Sequence, residues 1–147
     1  MASAQDPDGE GIQDLAIVTN ITLDANTEYD LSFSIQNALD PDDVEDIGEE
    51  ILEEDNEHQF FFAFTQDIFT SPMGDGNVDT AGDVVNYNDE DENGLNVGLN
   101  TSWTTGDAAT GMFTARLQHQ PDIKTATTGA TDGDTDFNLT FTLTIEE

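Results

Sequence analysis

The residues best placed to do chemistry are Asp89-Glu90-Asp91-Glu92-Asn93-Gly94. Their spacing, D-x-D-x-N-G, matches the first half of a calcium loop. In such a loop, oxygen ligands at alternate positions wrap a hard cation and glycine permits the sharp turn. Asp89, Asp91 and Asn93 are therefore the candidate ligands for calcium or another salt cation. The second half of the loop departs from the pattern, because its twelfth position is Asn100 and not glutamate. Asp132, Asp134 and Asp136 repeat the alternating acids, with Phe137 in place of the glycine. Asp75-Gly76-Asn77-Val78-Asp79 is a weaker version. The plainer reading is a set of acidic turns with diffuse salt cations and no required cofactor.

Other chemistry finds little footing. His58 and His119 each sit beside glutamine near an expected strand end, in no metal-ligand spacing. None of Ser3, Ser32, Ser34, Ser71 and Ser102 lies in a nucleophile elbow. No glycine-rich phosphate loop follows a strand. Without cysteine there is no thiol nucleophile, disulfide framework or Cys-based zinc site. Asn20, Asn100 and Asn138 begin Asn-x-Ser/Thr triplets inside expected strands, where threonine is common by propensity. An enzyme is not expected.

Charge narrows the partners. The chain has 33 acidic residues and two basic ones, Arg116 and Lys124, for a formal charge of -31 over 147 residues. In dilute buffer that charge opposes a compact state. At molar salt the Debye length falls to about 3 Å and the repulsion is screened. The composition is that of a protein adapted to concentrated salt. It cannot neutralise nucleic-acid phosphates or hold an anionic membrane surface through basic residues. Each of its two cations is a candidate for a specific ion pair. No segment is apolar enough to span a membrane, and residues 1–11 lack the basic and apolar regions of a signal peptide. A chain beginning at Met1 without such a leader is expected to be assembled in the cytoplasm.

The elements that must carry these residues read as an all-β chain with one short helix. Residues 1–11 are polar and turn-rich, an extended arm; residues 12–147 form a single domain. A strand is expected over 12–23, with a turn at Asp24-Ala25-Asn26. Residues 27–37 alternate, with Tyr29, Leu31, Phe33 and Ile35 on one face, and should pair antiparallel with the preceding strand. Asp40-Pro41 reads as an N-cap and first helical residue, with Val44, Ile47 and Ile51 at helical spacing, giving a short helix near 41–54. The glutamates at 49, 50, 53 and 54 then crowd the C-terminal end, the wrong end for the helix dipole. Residues 58–69 are apolar on both parities and read as a strand buried on both faces. Shorter strands are expected at 84–87 and from Leu95 to Trp103. Residues 111–119 put Phe113, Ala115 and Leu117 on one side. The last strand sets Phe137, Leu139, Phe141, Leu143 and Ile145 against Asn138, Thr140, Thr142 and Thr144. Seven or eight strands with long connections favour an antiparallel β-sandwich, of jelly-roll type.

The acidity, the polar arm and the Thr-rich alternation Asn138-Leu139-Thr140-Phe141-Thr142-Leu143-Thr144-Ile145 resemble small virion proteins of haloarchaeal viruses. The likeness is to single jelly-roll capsid and penton proteins, and it lies in composition and strand pattern over the whole chain. The resemblance implies a capsid subunit at or near the vertices that associates with itself and with other capsid proteins. It implies location in the virion after assembly in the host cytoplasm, with no direct nucleic acid and no membrane insertion. It carries over no site residues. A decoration, spike, tail-tube or cell-surface binding module, calcium-binding or not, would share the pattern.

The charge gives the first prediction. Dialysis toward about 0.01 M salt, where the Debye length reaches about 30 Å, should unfold the chain. Circular dichroism reads the outcome, and an unchanged spectrum and melting temperature would remove the salt-adapted reading.

Overall fold

The structure, a computed structural model, describes residues 1–8 and 14–147. In chain order the strands are β1 (Ser3–Gln5), β2 (Ala16–Thr19), β3 (Ile21–Asp24), β4 (Glu28–Ser32), β5 (Gln36–Asn37) and β6 (Glu45–Asp46). After helix α1 (Ile47–Glu53) come β7 (His58–Phe64), β8 (Phe69–Ser71), β9 (Asn100–Thr105), β10 (Ala109–His119) and β11 (Asp134–Glu146). The fold is all-β with one short helix, arranged as a sandwich. The larger sheet runs β3-β11-β10-β7 and the smaller β4-β9-β8. Two small ribbons, β1-β2 and β5-β6, lie beside them. No helix among the described residues is long and apolar enough to cross a membrane.

Strict alternation sets the register of the larger sheet. β10 and β11 pair antiparallel from Ala109 opposite Ile145 to His119 opposite Asp134. Phe113, Ala115 and Leu117 are buried with Phe141, Leu143 and Ile145, while Asn138, Thr140 and Thr142 face solvent. This is the face assignment that a period of two requires. β7 pairs antiparallel with the other side of β10, Phe62 lying opposite Ala115. Phe60, Phe61 and Phe62 are fully buried, as the unbroken apolar run demands.

The smaller sheet closes over this one through aromatic contacts. Trp103 on β9 meets Phe62 at 5.4 Å and Phe113 at 5.1 Å between ring centroids, both edge-on. Phe69 on β8 packs on Trp103 at 5.0 Å. Edge-to-face packing matches the positive rim of one ring to the negative face of another. The indole N–H donates to Thr101 Oγ1 at 2.8 Å, so the tryptophan is buried without an orphaned donor. Phe33, just past β4, stacks on Phe60 at 4.2 Å.

Several expectations are corrected. Asp40-Pro41 opens a tight turn and not the helix: Asp43 N–H donates to Asp40 O, and Asp42 N–H donates to the Asp40 carboxylate. Proline at the second turn position suits this geometry as well as it suits a first helical turn. The N-cap is Asp46, whose carboxylate accepts from Glu49 N–H at 3.3 Å. The span 12–23 breaks at Asn20, whose side-chain oxygen accepts from Thr142 N–H. β3 then joins β11 in parallel, and β4 pairs with β9 and not with β3, so the sandwich is not purely antiparallel. Residues 84–87 form no strand, although Tyr87 bridges to Thr101, and the strand expected from Leu95 starts only at Asn100. The 58–69 run ends at Phe64, because a turn from Thr65 to Ile68 sends Phe69 into the other sheet. The N-terminal residues do not leave the domain. Ser3–Gln5 pairs with β2 of its own chain and Ala2 packs against the core; residues 9–11 lie outside the described residues. The strand order does not establish a jelly roll.

Phe62 touches both sheets and is fully buried. Phe62→Ala should cost about 3–5 kcal/mol through lost transfer energy and the cavity left behind. Chemical denaturation at molar salt measures it.

Candidate functional site

The loop that carries the predicted cation ligands is tied by its own carboxylates. Asp89 accepts Gly98 N–H on Oδ1 at 2.8 Å and Asn100 N–H on Oδ2 at 3.1 Å. Asp91 accepts Asn93 N–H at 2.8 Å and Leu95 N–H at 2.9 Å, both on Oδ1. Gly94 takes φ 74°, the left-handed conformation expected of it. Asn93 is exposed, and its backbone amide takes part in the turn. The cation on Asp91 is Lys124: its Nζ donates to Asp91 Oδ2 at 2.9 Å and to Asp55 O at 2.7 Å. Both side chains are buried, at 1% and 0% exposure. Burial alone would raise the Asp91 pKa; the bonds from Leu95, Lys124 and Asn93, with the ammonium charge, outweigh it and hold the carboxyl below its ordinary value. The sequence motif thus reports a hairpin closed by amides and an ammonium group. Lys124 makes the ion pair expected of a scarce cation. Arg116 instead bonds neutral groups, with Nε donating to Gln118 Oε1 at 3.0 Å and a terminal nitrogen to Thr135 Oγ1 at 2.9 Å.

The second acidic series separates. Asp132 Oδ2 accepts Gly129 N–H, and Asp136 turns to a histidine. That histidine belongs to a cluster the sequence reading missed. β7 and β10 place His58 opposite His119, and their rings stack with centroids 4.6 Å apart at 9°. A carboxylate oxygen of Glu54 and one nitrogen of each ring lie within 4.8 Å of one another. His58 Nδ1 lies 3.0 Å from the Glu54 carbonyl, which only accepts, so Nδ1 carries the proton. Nε2 then faces Asp136 Oδ2 at 3.6 Å. His119 Nε2 faces Glu57 Oε2 at 3.3 Å. Leu117 pairs with Phe137 but Gln118 with Thr135, so Asp136 is the extra residue of a β-bulge. A bulge re-aims a side chain, and this one aims a carboxylate at His58. Burial pushes the Asp136 carboxyl up, the two histidines pull it down, and Asp134 pushes it up again. A signal for the pairing was present: His58-Gln59-Phe60 and Leu117-Gln118-His119 mirror each other, as antiparallel partners at one sheet end would.

A third feature lies between the sheets. Along β3 and β4, the end strands of their sheets, the layers stand apart around an open cleft of about 1270 Å³. Its walls include Ile21, Leu31, Phe33, Leu139 and Phe141, with residues 1–7 at the rim. No family model, curated protein or solved structure matches the chain.

The ion pair gives a prediction. Lys124→Met leaves a buried carboxylate without its counter-charge and should cost about 3–5 kcal/mol. In the wild type the Asp91 pKa is lower folded than unfolded, so its contribution is full above about pH 4 and is lost as pH falls through the folded value. Without Lys124 the carboxyl loses one of the groups lowering it, and acid unfolding at molar salt should begin at a higher pH. Urea melts against pH for both proteins measure the two effects. Equal stability would show that the pair is energetically idle.

Proposed function

We propose that the chain is a structural virion protein, a capsid subunit at or near the vertices that works by self-association in concentrated salt. The observation that carries this reading is the apolar cleft between the splayed sheets. Its volume of about 1270 Å³ exceeds the roughly 300–1,000 Å³ of small-molecule pockets. Two end strands flank it, and such strands pair readily with another chain. Glu28 and Asp30 alternate with Tyr29 and Leu31 along β4. Their charge repels a second copy in dilute buffer and is screened in brine. The occupant is therefore a second copy of this chain, admitted by salt. β1 is already used within its own chain, so the reading rests on the cleft and not on a free arm.

Sedimentation velocity at molar NaCl over a wide concentration range tests this. A discrete oligomer is expected, with ring-shaped particles by electron microscopy. Leu31→Glu, at the half-buried cleft wall, should return it to monomer while circular dichroism stays native. A wild-type monomer at every concentration would overturn the self-association reading and favour a monomeric decoration or binding module.

A further inference from the structure

Where α1 ends against the larger sheet, two imidazoles and several carboxylates converge with no lysine or arginine ion pair among the described residues. Glu54, the C-cap of α1, approaches His58 and His119, and Glu57 and Asp136 face the same rings. Two features call for a cation. The last turn of α1 carries acids and no base, the reverse of what the helix dipole favours. His58 already has the arrangement of a ligating histidine: Nδ1–H is held by a carbonyl and Nε2 is turned to the cluster.

We infer that Glu54, His58 and His119 form a binding site for a divalent transition metal of the zinc class, which clamps the end of α1 to β7 and β10. Two histidines and one glutamate are an established zinc donor set, and imidazole nitrogen selects such ions over calcium and magnesium. Bonds of about 2.0–2.1 Å to a tetrahedral ion place ligand atoms roughly 3.3–3.4 Å apart. The donor atoms of Glu54, His58 and His119 lie within 4.8 Å of one another, so the set must draw in on binding. It does so through the exposed Glu54 side chain and through the partly exposed His119 ring, which turns out of its stack on His58 to aim its lone pair at the ion. Asp136, set on its bulge, has a carboxylate oxygen 3.6 Å from His58 Nε2. This site is independent of the cleft and of self-association.

The test is zinc titration of the full chain in molar NaCl with excess MgCl2, which occupies non-specific carboxylates, read by competition with a chromophoric chelator. One saturable Zn2+ per chain is expected, with affinity falling at least about tenfold in His119→Gln and in His58→Gln. Glu54→Gln should weaken it as well, and Co2+ in place of zinc should give the intense visible bands of a four-coordinate ion. No saturable uptake, or wild-type affinity in His119→Gln, would overturn the site. Circular dichroism checks each variant. Should buried His58→Gln fail to fold, ring-nitrogen shifts of the wild type on adding Zn2+ decide: movement of both histidines supports the site, and unmoved rings refute it.

Discussion

The pairing of β7, β10 and β11 is the constraint on which the rest of the structure depends. One register delivers both the aromatic interior and the polar end of the sheet. With Phe62 opposite Ala115, and Phe113 opposite Phe141, the large rings of three strands fall on one face and meet Trp103 from the other layer. A slip of one residue in β10 or β11 would turn that strand's core side chains to the opposite face. The same register brings His58, His119 and Asp134 into line at the far end, and one bulged residue there adds Asp136. Apolar burial, which does not act through charge, thus fixes the positions of groups whose interactions are charge-dependent.

Against that frame the two basic residues serve different ends. Lys124 is fully withdrawn from water and joins Asp55 after the helix to Asp91 in the long loop. Removing either partner would leave a buried charge alone, which costs far more than the intact pair contributes. Arg116 lies on the sheet surface, ordering Gln118 and Thr135 beside the bulge. Bulk acidity is left to the solvent ions, while the one fully buried lysine is reserved for a site the solvent cannot reach.

Much of the sheet was legible in the residues. The period of two in β10 and β11 and the double-sided apolar run of β7 identified the central strands and their faces, because each is a local pattern of side chains. Partner choice was not local. Nothing near Ile21 says that it will run parallel to Leu143 and not fold back on Leu31. Asp40-Pro41 fits a turn and a helix start equally, and only the hairpin β5-β6 that encloses it decides between them. The Asp89–Gly94 motif was legible as a tight turn, but not the amides and the ammonium group that its carboxylates bond, since amides and metals ask the same geometry of a carboxylate. The histidine cluster depends on strands distant in sequence, so only its mirrored His-Gln pattern was visible beforehand.

The position of β11 bears on how the chain is made. It lies inside the larger sheet, with β10 on one side and β3 on the other. The contact between Asn20 and Thr142 spans 122 residues. At about 5–20 residues per second, a ribosome takes roughly 6–24 s to travel that distance. Throughout this interval β3 has no sheet to join, and toward its end the apolar face of β10 waits for its hairpin partner. Folding of the larger sheet is therefore completed late in synthesis.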